Sequence, residues 1–130
     1  MTVSQAIDRI DRLKPNSFSY ADKLVWLGEL DGRVKREIID AYTGGEDKKF
    51  TPYAPADAEN GESDRADAVL LAEEPYDEMY IHYLCARIDY ANCEYDRFNN
   101  SDAMFEAAYS AFRNAYNRAH EAKTRKKNYW

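Results

Sequence analysis

The chain has 130 residues, 45% of them hydrophobic and 32% charged, with a formal net charge of −6. That length supports one domain with a core of its own and is too short for two ordinary ones. No apolar run reaches the ~18 residues of a membrane span, and the acid-bearing start MTVSQAIDRIDRLK is neither a secretory nor a mitochondrial address, so a cytoplasmic chain is expected.

The charge is unevenly placed. His120 to Trp130 hold four bases and one acid, net +3, which leaves −9 for the remainder. An acidic body with a short basic tail is not the footprint of a general nucleic-acid binder.

In chain order, Thr2 with Gln5 three residues on makes a capping box, and Val3, Ile7 and Ile10 recur at helical spacing, predicting a helix over 3–13. Lys14-Pro15-Asn16 ends it, because a residue before proline disfavours the α region. Ser19 is the next N-cap, with Asp22 at the third position. A long helix over 20–43 follows, with Tyr20, Leu24, Leu27, Leu30, Val34, Ile38, Ala41 and Tyr42 on one face and Gly44-Gly45 as its stop. Gly28 and Gly32 lie inside this run, where glycine permits close backbone approach or marks a bend.

Residues 46–73 resist helix assignment. Pro52, Pro55 and Asn60-Gly61 punctuate them. Residues 49–53 and 68–71 can pair as a short two-stranded ribbon around a mobile acidic tip. A third helix then starts at Pro75, whose missing amide suits a first helical turn, and runs to a break at Asn99-Asn100. Its stripe is Met79, Tyr80, Tyr83, Leu84, Ile88, Ala91, Tyr95 and Phe98. The fourth helix is expected over 102–123, with Met104, Phe105, Ala108, Tyr109, Ala111, Phe112, Ala115, Tyr116 and Ala119 on a clean apolar face. The short break makes these two an antiparallel hairpin. The expected fold is therefore mainly α: a bundle of about four helices over 1–123, a ribbon-bearing insertion at about 46–73, and a basic aromatic tail over 124–130.

Chemistry-bearing motifs are sparse. Cys85 and Cys93 stand eight apart in one expected helix, about 12 Å along its axis at ~1.5 Å per residue, too far to bridge. Two free thiols fit a reducing compartment. His82 and His120 lack the Glu-x-x-His pairing of a di-metal bundle and are too few for zinc. No nucleophile elbow or phosphate loop is present. The expectation is no enzyme, no catalytic residue, no cofactor and no metal.

Three features carry interaction hypotheses. Arg87 and Glu94 fall near the middle of the third helix's stripe, and Asp31 falls within the apolar arc of the second. A buried charge is costly unless paired, so Arg87 is expected to be neutralised by Asp31 or Glu94, inside the bundle or at a subunit interface. The alternative is that these side chains lean to the stripe edges and reach water. The 11 tyrosines suit half-wet cores and subunit contacts alike. The tail residues Lys123, Arg125, Lys126, Lys127, Tyr129 and Trp130 are either a frayed helix end or an arm that docks a neighbour or touches DNA backbone, with Trp130 as an anchor.

Two regions resemble a known family. One is Ile7-Asp8, Lys14-Pro15-Asn16 and Lys23 to Gly32 (KLVWLGELDG). The other is Pro75 to Tyr80 (PYDEMY), Tyr83-Leu84, Ile88-Asp89-Tyr90, Asn99-Asn100, Phe112 and Asn117-Arg118. They resemble the small helical head–tail connector proteins, also called adaptor or head-completion proteins, of tailed bacteriophages and Gram-positive prophages. The resemblance covers both helical parts and leaves 46–70 unmatched. It implies a structural virion-assembly protein that forms a ring beneath the portal, lines a DNA channel and carries no catalytic residues. Its implied partners are the portal protein, neighbouring copies and a downstream neck or tail protein, with neither a membrane nor sequence-specific nucleic acid among them. Its implied place is the virion neck, reached from the host bacterial cytoplasm. Two other readings stand beside it: a small acidic helical module that mimics DNA or inhibits a nucleic-acid site, and a metal-bundle enzyme.

Overall fold

The computed structural model describes residues 1–42, 50–51, 53 and 65–120. They are mainly helical and form a bundle of four α-helices: α1 (Val3–Leu13), α2 (Tyr20–Glu37), α3 (Glu78–Ala91) and α4 (Tyr95–Ala119). A 3-10 turn, Ile39–Ala41, follows α2.

Local signals set the first two helix starts. Thr2 Oγ1 accepts from the Gln5 amide while Gln5 Oε1 accepts from the Thr2 amide, closing the capping box. Ser19 accepts from the Asp22 amide at the start of α2. α2 ends before Gly44-Gly45, because Ile38 and Ile39 are both buried and the tighter 3-10 turn directs two consecutive side chains into the core.

The 65–72 arm behaves differently from the expected ribbon, and no strand forms among the described residues. The arm turns to the start of α1 instead. The Val3 and Ser4 amides donate to the Ala68 and Ala66 carbonyls, and the Leu70 amide donates to Met1 O, each at 3.0 Å. Thr2 and Val69 form an isolated antiparallel bridge. The physical reason is that first-turn amides of a helix have no intrahelical partner, and the arm supplies two carbonyls to them.

α3 starts at Glu78 rather than Pro75. Its N-cap residue Asp77 makes no capping hydrogen bond, because its carboxylate faces the Met1 ammonium at 3.7 Å. α3 also stops earlier than expected, at Ala91. The Cys93 amide donates to Tyr90 O and the Glu94 amide to Asp89 O, with Cys93 in the left-handed region at φ 58°. This is a Schellman stop with cysteine in the position that glycine usually fills. Asn99 and Asn100 lie within α4, exposed. The packing of Phe98 on Tyr90, ring centroids 5.2 Å apart, and the Ser101 hydroxyl bonded to Asp89 at 2.9 Å hold that first part of α4 in place. Cys85 and Cys93 therefore belong to different elements, and both are free thiols.

α3 packs against each of the other three helices. It is accordingly buried around much of its girth, through Met79, Tyr80, Ile81, Leu84, Ala86, Ile88 and Asp89. α4 buries only the Phe105, Tyr109 and Phe112 side. Met104, placed on the apolar face from the sequence, is largely exposed.

The two interior glycines differ in what surrounds them. A Cβ on Gly28 would stand 2.8 Å from the Tyr53 carbonyl oxygen, whereas one on Gly32 would meet the flexible end of Arg36 at 3.3 Å. Gly28→Ala is expected to cost about 1–3 kcal/mol, as overpacking does. Gly32→Ala is expected to be neutral or to gain up to ~1 kcal/mol of helix propensity. Urea midpoints of the two variants measure the contrast. In the same assay Cys93→Gly is expected to gain about 1 kcal/mol, by removing the Cβ from a left-handed residue.

Candidate functional site

Two polar constellations stand out against the core. The first is centred on Asp31, which is 0% exposed. Tyr80 Oη donates to its Oδ1 at 2.6 Å, and Tyr53 Oη and the Leu71 amide donate to its Oδ2 at 2.8 and 3.1 Å. Tyr80 Oη in turn accepts from the Ala72 amide at 2.8 Å. One carboxylate thus joins α2, α3 and both described parts of the insertion, with no cation paired to it among the described residues. Burial pushes the Asp31 carboxyl above its ordinary range, and the three hydrogen bonds oppose that shift. Burial, reinforced by the adjacent carboxylate, drives the hydroxyls of Tyr80 and Tyr53 well above the usual tyrosine range. Both phenols are donors here, as acceptor-only carboxylate oxygens require.

The second constellation is a charged seam across α2, α3 and α4. Arg87 lies 3.9 Å from Glu29 and over the Trp26 ring at 5.4 Å. Further along α2, Glu37 accepts from Tyr109 Oη at 2.8 Å and Arg33 Nε at 3.0 Å, and Arg113 stands 3.8 Å away. Arg33 lies 4.3 Å over the Tyr109 ring, with Arg113 at 5.6 Å from the same ring. The bond from Tyr109, followed by that from Arg33, holds the Glu37 carboxyl below its ordinary value. Burial, followed by the bond to Glu37, pushes the Tyr109 hydroxyl up to about 12.

These positions correct the expected pairing. Asp31 is buried, but two phenols and a backbone amide neutralise it in place of a guanidinium. Arg87 reaches the bundle surface and pairs with Glu29, the two side chains being 42% and 54% exposed. Glu94 is the N-cap residue of α4 and bridges to Arg97 at 3.2 Å. The reason is register: Arg87 is seven residues from Tyr80, and its long stem carries the charge past the stripe to water. Lys123, Arg125, Lys126, Lys127, Tyr129 and Trp130 lie outside the described residues.

The structure adds charges that the sequence did not single out. Asp89 is fully buried, with Oδ1 2.6 Å from Lys14 Nζ and Oδ2 accepting from Ser101. Lys23 is buried and donates to Asp11 at 2.5 Å and to Phe18 O at 2.9 Å. Arg33 with Glu37, four apart on one helix face, was legible as a pair. Among the described residues, no group of three or more His, Cys, Asp or Glu is placed to hold a metal ion, and no helix is long and apolar enough to cross a membrane. No protein family, characterised protein or solved structure matches the chain.

Asp31→Ala strips the acceptor from two phenols and one amide and is expected to cost about 3–5 kcal/mol, given ~1–3 kcal/mol per buried group left unsatisfied. Asp31→Asn keeps one oxygen and costs less. The folded state raises the Asp31 pKa, so it holds the proton more tightly than the unfolded chain does. The associated stability is fully present below the ordinary carboxylate range and is lost as pH rises through the folded value. The stability of the wild type relative to Asp31→Asn should therefore increase as pH is lowered from neutral, measured by urea unfolding at each pH. A difference that stays flat or moves the other way contradicts this assignment.

Proposed function

We propose that this chain is a structural virion-assembly protein, a head–tail connector that sits as a ring beneath a phage or prophage portal and meets a neck or tail protein on its far side. The observation that carries the reading is where the resembling stretches fall. Leu24, Leu27, Leu30 and Asp31 come from the first, and Met79, Tyr80, Leu84 and Ile88 from the second. They make one core, joined at the 2.6 Å bond between Tyr80 and Asp31. The buried positions of both stretches thus belong to a single packed unit. Helices held this firmly suit a scaffold whose work is done by its outer surface.

That outer surface carries residues that serve protein contacts. Tyr90 and Tyr95 are 58% and 55% exposed beside the turn between α3 and α4, and tyrosine joins a large apolar body to a polar tip. Trp26 and Arg87, stacked at the seam, belong to the residue types that dominate interface energetics. The acidic DNA-mimic reading calls for carboxylates in an unbroken exposed row. Along the described faces, guanidinium groups interrupt them: Arg9 binds Glu78 through two hydrogen bonds, and Arg33 and Arg113 share Glu37.

The test is direct. The purified chain, mixed with the portal protein of the same phage or prophage, is expected to add a ring of density below the portal in electron micrographs. It is also expected to co-sediment with the portal. A chain that leaves the portal bare at tens of micromolar would overturn the connector reading.

A further inference from the structure

The groups that shield Asp31 from water are fastened very unequally. Leu71 donates to Oδ2 from an arm that is tied down along its length. The Val3 and Ser4 amides bond to that arm, its Leu70 amide bonds to Met1 O, and its Ala72 amide donates to Tyr80 Oη. Tyr80, on the Oδ1 side, is part of the buried core of α3. Tyr53 also donates to Oδ2, and that is its only hydrogen bond among the described residues. Its backbone rests on Gly28 by contact alone. Phe50 packs edge-on against the Tyr53 ring, with centroids 5.6 Å apart. Arg65 lies over the same ring at 5.4 Å and donates to Thr51 O, which ties this stretch to the arm.

We propose that Phe50, Thr51 and Tyr53 act as a proton-operated strap over Asp31: closed while the carboxyl carries its proton, lifting as the carboxylate forms, with Tyr80 and the arm left in place. A hydroxyl accepts as readily as it donates, so protonated Asp31 keeps its bond to Tyr53 with the direction reversed. Ionised Asp31 has no cation paired to it among the described residues. The titratable and charged groups around it are the phenols of Tyr80 and Tyr53, with Arg65 beyond the Tyr53 ring. A carboxylate buried in this way is costly, and water relieves the cost only where a cover gives way. Tyr53 is the cover with the fewest ties, and its departure opens Oδ2 to water. The closed form raises the affinity of Asp31 for its proton, whereas lifting returns it toward the ordinary carboxylate value. The ratio of lifted to closed chains is therefore level below the ordinary range. It rises by at most about tenfold per pH unit up to the closed-form value, and is level above that. The strap is a property of the fold and stands apart from the connector reading.

Solvent exposure of the tyrosine rings tests it. The chain is prepared with isotope-labelled tyrosine, and the Tyr53 ring signal is assigned by its loss in Tyr53→Phe. Broadening of the Tyr53 and Tyr80 signals by a soluble nitroxide is followed from about pH 4 to about pH 8, below ordinary tyrosine ionisation near ~10. In the wild type, Tyr53 is expected to broaden severalfold more at the upper end than at the lower, while Tyr80 stays protected throughout. In Asp31→Asn, which carries no charge at any pH, the Tyr53 signal is expected to respond equally across the range. A wild-type Tyr53 response that is flat, or that falls as pH rises, overturns the proposal. A Tyr53 response matched by Tyr80 also overturns it, because the whole bundle is then opening. So does a pH dependence that survives in Asp31→Asn. Should that variant fail to fold, the wild type decides the matter, with Tyr80 as the internal reference.

Discussion

The described structure depends most on one buried carboxylate. Asp31 sits in the apolar arc of α2, where an ionised group costs several kcal/mol unless its oxygens are fully engaged. They are engaged by Tyr80 from α3, Tyr53 from the insertion and the Leu71 amide from the arm. Three segments far apart in sequence must therefore converge before the charge is tolerated. The consequence spreads outward. Leu71 fixed at Asp31 places residues 66–70, which supply the carbonyls that the first turn of α1 lacks. Tyr53 fixed at Asp31 lays its backbone over α2 at Gly28, where no side chain fits. A hydrophobic residue of similar volume at position 31 would avoid the desolvation cost but would leave the arm without its anchor.

The other charges fall into an inner and an outer set. Asp89 is buried and held between Lys14 and Ser101, so it ties α1, α3 and α4 at one end of the bundle. Lys23 likewise secures the loop between α1 and α2 through Phe18 O and Asp11. Around these lie solvent-exposed pairs such as Arg97 with Glu94 and Arg87 with Glu29, which contribute on the order of 0–1 kcal/mol each to stability. The interior charges hold the scaffold together, and the surface charges pair with one another in solvent.

This division is compatible with the proposed assembly role. Its polar chemistry is spent on fixing helices and the segments between them. Free thiols, phenols with raised proton affinity and buried carboxylates are each accounted for by a packing role. Cys93 closes the α3 turn, and Tyr80 and Tyr53 satisfy Asp31.

The sequence by itself determined whatever depends on a few neighbouring residues. The capping box at Thr2, the N-cap at Ser19, the extent of α1, the apolar faces of α2 and α3, and the class of a four-helix bundle all follow from spacing and hydrogen-bonding chemistry within one turn or two. It also marked Asp31 as out of place in its apolar arc. What it could not supply was the partner. Charge pointed to Arg87, but the three-dimensional arrangement put two phenols and an amide there, because 49 residues separate Tyr80 from Asp31 and no local pattern encodes that distance. The stop of α3 was misread for the opposite reason. Asn99-Asn100 has the right local chemistry, yet Phe98 on Tyr90 and Ser101 on Asp89 keep those residues helical, and the left-handed turn falls at Cys93, a residue type that seldom signals one. Tertiary structure decided these points because contacts between distant segments outweighed propensities worth less than about 1 kcal/mol per residue.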